Sequence, residues 1–398
     1  MNDTNDVHDS PYHDRDGSAP RRPGITFATA LLIPLLLWGT GAATTSNAAS
    51  STGTSAMAII HIAAGGMHSM LLTNDHQLWA MGNGSDGQLC DGDATIQRTP
   101  IKTLSGVRSV ALGGRHSLIL KTDGSLWVCG DNDSGQLGDG SVNDAHTPVR
   151  IMDGVAAMAA GDAHSLVLKT DGSLWSFGLN TYGQLGTGDT ESRRTPVKIM
   201  DGVHAVAAGP DHSLILTNDG ALWGVGHNTN SQLGDGGTTN RTQPVRMLES
   251  VQAMAAGNGY SMMLKTDGSL WMVGFDGGGQ LGDGDSINRK TPFMLRDGVR
   301  AIGAGSAHSL VLDTADVLWA FGYNDSGQLG SGHTDTLRRP TQVLDQVAAI
   351  ATGGYHTLAL RTDGSVWVTG SNGSGQIGLG QGTQSVSAFQ ALTLPATP

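Results

Sequence analysis

Charged and aromatic side chains are scarce in this 398-residue chain, at 15% and 5% of the residues. Lys and Arg together number 23 against 35 Asp and Glu, a net charge of −12, and nucleic acid as a partner is excluded because no basic face is available for it. Only two cysteines occur, Cys90 and Cys129, so the fold is not a disulfide-stapled scaffold. Catalytic signatures are also missing. There is no G-x-S-x-G, no H-E-x-x-H and no G-x-x-x-x-G-K-[ST], which leaves an enzyme without a starting residue. No catalytic residue, cofactor or metal ligand is therefore expected. What the chain holds in excess is glycine, 59 residues, roughly twice the usual share. So many glycines exclude long helices, and the lack of a G-X-Y period excludes collagen. With 38% hydrophobic residues a packed core is within reach, and an all-β protein is expected.

The first fifty residues form a separate object. Residues 1–24 are a polar leader with five Asp, ending in Arg21-Arg22-Pro23-Gly24. An uncharged apolar stretch runs from Ile25 to Ala43, and small residues follow it. A cationic flank, an apolar run and a small-residue tail outline an export signal, with cleavage near Ala43 or Ala48. The run is also just long enough to stay in a bilayer as an anchor. Residues 25–48 are thus read as a signal peptide or a membrane anchor, and residues 49–56 as a linker. In either case Arg15, Arg21 and Arg22 keep the N-terminus inside, so the rest of the chain is expected to be extracytoplasmic, secreted or anchored.

Beyond that point one unit recurs seven times. Tryptophan stands at Trp79, Trp127, Trp175, Trp223, Trp271, Trp319 and Trp367, always 48 residues apart. Histidine keeps the same step at His68, His116, His164, His212, His308 and His356, with Tyr260 in the missing place. Glutamine does so from Gln88 to Gln376, and proline from Pro100 to Pro340. Each unit holds four short apolar runs separated by turn residues. Asp-Gly pairs such as Asp123-Gly124 mark a hairpin between the second and third runs. Four strands in 48 residues suit a propeller blade. The expected fold is a seven-bladed β-propeller of four-stranded antiparallel blades over residues 57–394, with a closed ring that removes sheet edges.

The string G-x-x-H-S-L-x-L-x-x-D-G-x-L-W-x-x-G-x-N-x-x-G-Q-L-G-x-G, clearest at 161–188, resembles the regulator of chromosome condensation repeat family. The resemblance covers all seven units, and the family's seven-bladed propeller matches the count above. It implies a protein-binding propeller. The family's eukaryotic founder exchanges nucleotide on a small GTPase, and a secreted member inhibits β-lactamases. A photoreceptor member carries Trp after the glycine of G-x-x-H. Here Gly66, Gly114, Asp162, Pro210, Asn258, Ser306 and Gly354 occupy that position, so light sensing is not expected.

The constant residues are read as structural. Zinc ligands must all lie near 2 Å from one ion, whereas equivalent histidines of different blades are spread around a wide circle. Hydrogen bonding between strands is expected of them. The tryptophans are expected to fill space between blades with their indole N–H on a carbonyl, and the glutamines to tie down the glycine-rich turn. Asp131-Asn132-Asp133-Ser134-Gly135 hints at a calcium loop, but Val142 stands where a bidentate Glu is needed. Cys90 and Cys129 occupy non-equivalent positions in adjacent units. Free thiols are expected, although an exported protein permits a disulfide.

Function in a repeat protein usually sits on variable loop positions. Strand order places the loop holding G-x-x-H and the loop after the Trp strand on one face. The candidate partner-binding residues there are Leu179, Tyr182, His227, Phe275, Tyr323, Tyr355, Arg115 and Asp211. With only six Phe and five Tyr in the chain, aromatics on a loop face suggest interface anchors. The expected function is an exported, monomeric, non-enzymatic module that binds a protein partner as inhibitor, adhesin or scaffold. The alternative is guanine-nucleotide exchange for a small GTPase, conceivable in a host cell. The unbroken 48-residue spacing leaves no room for an inserted wedge.

Overall fold

The computed structural model describes residues 57–395, and the readings made above for residues 1–56 lie outside the described residues. Among the described residues no helix is long and apolar enough to cross a membrane. Seven four-stranded antiparallel sheets follow one another along the chain. The first blade comprises β1 (Ile59–Ala64), β2 (His68–Thr73), β3 (Leu78–Gly82) and β4 (Gln97–Leu104), paired in chain order. The other six repeat this pattern at 107–152, 155–200, 203–248, 251–296, 299–344 and 347–392. All-β architecture with seven blades agrees with the sequence reading.

First strands of neighbouring blades touch one another around the axis, which explains why they are rich in alanine, as in Val155–Ala160 (VAAMAA). Second and third strands are almost wholly buried because they are covered by blades on both sides. Fourth strands form the outer rim, where residues are partly covered or exposed. Seven apolar clusters are present, and each draws side chains from two adjacent blades. Blade 1 and blade 7 are each complete within their own chain segment. The ring closes between them by side chains and two backbone bonds, Gly354 N–H to the Gly65 carbonyl at 3.2 Å and Gly380 N–H to the Arg98 carbonyl at 2.9 Å, with no exchange of a strand among the described residues.

Two glycines per blade are required by close approach. At the G of G-x-x-H, for example Gly161, a Cβ would fall 2.2 Å from Cε1 of His164. At the end of the third strand, Gly130 takes φ +113°, and a Cβ would lie 2.4 Å from the Arg115 carbonyl.

Two expectations need correction. The indole N–H of the tryptophans does not seek a carbonyl. Trp127, Trp175, Trp271 and Trp367 donate to the hydroxyls of Ser125, Ser173, Ser269 and Ser365 at 2.9–3.0 Å, and those serines are held by the Asp of the Asp-Gly hairpin. Trp319 donates to Asp313 instead. The cysteines are not free either: Cys90 and Cys129 form a disulfide between blades 1 and 2. The physical reason lies in the repeat. In the other blades the residue equivalent to Cys90 is a glycine, which in blades 2 and 5 packs on the next blade's counterpart of Cys129, Gly138 on Phe177 and Gly282 on Phe321. Cys90 keeps the glycine's left-handed backbone, φ 59°, a conformation that costs a non-glycine residue on the order of 1 kcal/mol.

Candidate binding face of the propeller

The constant residues link blade to blade. Each repeated histidine is fully buried and places Nε2 within 2.8–3.2 Å of the Ser or Thr hydroxyl that opens the second strand of the next blade: His68 on Ser117, His116 on Ser165, His164 on Ser213, His212 on Ser261, His308 on Thr357 and His356 on Ser69. That hydroxyl donates to the backbone carbonyl of the repeated glutamine in the histidine's own blade, as Ser117 does to Gln88 at 2.7 Å. Its single proton is thereby used, so the imidazole must donate from Nε2. Nδ1 is left a buried acceptor without a partner in five of the six rings. Burial holds His68, His164, His212, His308 and His356 down to about 3 and His116 to about 4. Tyr260 fills the gap by donating its phenol to the His308 carbonyl at 2.6 Å, with Ser309 Oγ 3.1 Å away. Each repeated glutamine accepts through Oε1 from the backbone N–H two residues before it, from Asp86 in blade 1 to Ser374 in blade 7.

With these residues committed to the ring, the variable positions are free to differ. The residue before each histidine accepts through its carbonyl from the backbone N–H of the residue after the third-strand glycine, at 2.7–2.9 Å in every blade. Seven pairs result: Met67–Asn83, Arg115–Asp131, Ala163–Leu179, Asp211–His227, Gly259–Phe275, Ala307–Tyr323 and Tyr355–Ser371. All fourteen variable positions therefore sit at one end of the ring. A third variable position reaches across to the following blade. Tyr182 lies against His227 with ring centroids 4.5 Å apart, and Asp86 takes a bidentate bond from Arg115 at 2.6 and 2.9 Å. Tyr323 meets the Tyr355 ring edge-on at 6.2 Å.

The sequence-derived residues are brought together, but in a half-buried state. Leu179, Tyr182, Asp211, His227, Phe275, Tyr323 and Tyr355 are all partly covered, and Arg115 alone is exposed. Phe275 turns back over its own loop, where a Cβ on Gly277 would lie 2.5 Å from Cζ. Tyr323 donates to Asp325 at 2.6 Å, and this bond raises its phenol to about 12. Burial, aided by the charge of Asp162, raises Asp211 to about 6. Arg115 also lies 3.7 Å from Asp131, so it is tied to two carboxylates. The arginines that open the fourth strands of blades 3, 4 and 5 are spent locally: Arg193 on Asp189, Arg241 on Asp235, Arg289 on Asp283 and Asp285.

Family models agree with this architecture. The model described as the RCC1-like domain matches residues 38–298, and models of the regulator of chromosome condensation (RCC1) repeat match 299–328, 347–376 and 316–360. The chain belongs to the RCC1-like family. No curated protein matches it in sequence. Among solved structures it is similar to human WBSCR16, at 24% identity over 80% of this chain and 94% of that one, TM-score 0.72. It is also similar to Prp20p from Saccharomyces cerevisiae, at 24% identity over 81% and 87%, and to a chain of Kap60 bound to yeast RCC1 (Prp20), at 21% over 89% and 91%. Both have a TM-score of 0.72. At these identities the likeness speaks for the fold alone. Among the described residues every blade of this RCC1-like propeller has four strands and no added hairpin.

Proposed function

We propose that this RCC1-like propeller is an exported, non-enzymatic module that binds a protein partner through the loop face carrying Leu179, Tyr182, His227, Phe275, Tyr323 and Tyr355. The observation that carries the reading is the division of labour within each blade. Constant side chains are committed to the scaffold, the histidines to the next blade and the glutamines and tryptophans within their own, while the variable ones are gathered on one face as seven backbone-linked pairs. Partly covered aromatics there are already held in place, so little conformational freedom would be lost on docking. The extracytoplasmic site of action rests on the apolar segment at 25–48 alone. The partner engages one copy of the chain.

The test recovers partners with the full chain from extracytoplasmic and host extracts, then measures the affinity of each for the parent and for Phe275→Ala/Tyr323→Ala/Tyr355→Ala. A loss of roughly 100-fold or more with an unchanged circular dichroism spectrum is expected, since anchor residues commonly carry ~2 kcal/mol each. An unchanged affinity would show that another face is used. The competing reading is guanine-nucleotide exchange. It draws on the likeness to Prp20p, a protein described in terms of its binding to Gsp1p and histones. Stimulated GDP release from a small GTPase would put that reading first.

A further inference from the structure

Five blades carry a buried asparagine two residues after the third-strand glycine: Asn132, Asn180, Asn228, Asn324 and Asn372. Its Oδ1 accepts from the backbone N–H five residues on, at 2.9–3.2 Å. Its Nδ2 donates into a nest of oxygens on the long loop that follows. Around Asn180 these are Thr187 Oγ1 and the carbonyl and carboxylate of Asp189; around Asn228, Asp235 Oδ1 and the carbonyls of Gly237 and Thr239; around Asn324, Ser331 Oγ and the carbonyls of His333 and Asp335. The amide is the positive centre of an oxygen cage.

Blade 5 keeps the cage and inverts its centre. Asp276 replaces the asparagine and is fully buried. Its Oδ1 still accepts from Leu281 N–H at 2.8 Å, but Oδ2 stands on the amide's side with no hydrogen-bond partner among the described residues. One oxygen from each of Asp276, Asp283 and Asp285 lies within 4.8 Å of the other two. By repeat register the carbonyls of Asp285 and Ile287 fall where those of Gly237 and Thr239 lie. Arg289 pairs with Asp283 and Asp285. Arg289 thus serves the two outer carboxylates, while the buried Oδ2 of Asp276 stands where the other blades place an amide donor, an arrangement that costs free energy unless a positive partner is supplied.

We propose that this loop binds one divalent cation of the calcium type through Asp276, Asp283 and Asp285. The donors are all hard oxygens, carboxylates with backbone carbonyls beside them, on an irregular loop that tolerates six to eight ligands at varied angles. A cation there would stand where Nδ2 of the asparagine stands in the other blades, facing the same oxygens. The acidic group in blade 2, Asp131, Asp133 and Asp144, makes a useful contrast. There Asn132 retains its amide, donating to Asp139 and Ser141, and Asp133 and Asp144 are open to water. That group has no inverted centre to fill.

The full chain, stripped with EDTA and dialysed, should bind one Ca2+ per chain by calorimetry, with a Kd of about 10⁻⁴–10⁻³ M, the range of sites with few carboxylates. Its Tm should rise by about 2–4 °C in 10 mM CaCl2. Asp276→Asn restores the amide of the other blades, so it should fold, lose the calcium response and melt in EDTA no lower than the parent. Asp283→Asn, which keeps Asp276, should weaken binding at least 10-fold. A parent chain that shows neither heat nor a Tm shift up to 10 mM CaCl2 would overturn the proposal, as would an Asp276→Asn variant that keeps the response. An equal shift with MgCl2 would overturn the calcium assignment.

Discussion

Mild acid should unfold this propeller between pH 6.5 and 5, because six neutral histidines are sealed between blades. Each has its folded pKa lowered by burial to about 3 or 4, against 6.5 when the chain is open. Below pH 6.5 the unfolded chain therefore binds protons that the folded ring refuses. The stabilisation is complete above the unfolded pKa and is lost as pH falls toward the folded one. From pH 7 to 5.5 the loss is roughly 1.2 kcal/mol per histidine and ~7 kcal/mol for the six, a figure that depends only on the folded values lying below 5. His61 and His227, also lowered by burial, act in the same direction.

Two carboxyls oppose them. Asp211, raised to about 6, and Asp276, raised to about 7, both chiefly by burial, take up protons in the folded state first. They return about 2 kcal/mol over the same interval, leaving a net loss on the order of 5 kcal/mol. Carboxylates held low by their own hairpins, such as Asp123 and Asp171, stay ionised throughout the window and alter stability only below about pH 4. A loss of this size is comparable with the whole stability of an ordinary domain. Urea unfolding at pH 7, 6.25 and 5.5, followed by tryptophan fluorescence, reads it directly: the midpoint should fall steeply while the slope m stays constant. Unfolding at pH 5.5 should also take up three to four protons net. A midpoint unchanged between pH 7 and 5.5, or Cε1–H resonances of the six repeated histidines titrating near 6.5 in the folded protein, would refute the reasoning.

Reduction of the Cys90–Cys129 disulfide frees a 39-residue separation and should cost about 4 kcal/mol by chain entropy, seen as a lower Tm in reducing buffer; an unchanged Tm would mean the bridge is not formed. Tyr260→Phe removes one of the two bonds to the His308 carbonyl, which keeps the Gly305 N–H at 2.8 Å, a loss of roughly 0.5–1.5 kcal/mol in urea unfolding without any change in the pH slope. Arg115→Ala removes the cation from the largely buried Asp86, which keeps Ser85 and Gln88 as donors, and should destabilise by about 1–2 kcal/mol in urea unfolding, whereas Lys198→Ala, on an exposed Asp201 pair, should change little. Gly161→Ala drives a methyl into the His164 ring and should prevent the junction of blades 3 and 4 from closing, read as loss of soluble folded protein.

How far the sequence reaches depends on whether a contact lies within a blade or between blades. Strand pairing, the Asp-Gly hairpins and the glutamine turns are local. The 48-residue step displays each of them several times over, so they were legible. The gathering of Ala163 with Leu179, or Asp211 with His227, was legible too, because up-and-down strand order alone brings those two loops together. Burial of those residues was not, since it comes from the following blade: the Tyr182 ring on His227, the Tyr323 ring on Tyr355. The disulfide was hidden for the same reason. Cys90 and Cys129 are unequal positions along the unit, yet they face each other across a blade boundary, as Gly138 and Phe177 do.

That boundary also explains what the constant positions require. A repeated histidine is not needed as a ligand or a base but as a donor of fixed reach, aimed at a hydroxyl whose own proton is already given to a glutamine carbonyl. Tyr260 satisfies the demand with different chemistry, because its longer phenol reaches the backbone of His308 directly. A substitution at a constant position is therefore tolerated when it finds a partner on the neighbouring blade. Asp276 is the instructive opposite. It keeps one half of the asparagine's role and leaves the other half, Oδ2, without a partner among the described residues. Where a repeat breaks its pattern and the protein itself supplies no replacement partner, the missing partner is to be sought outside the chain.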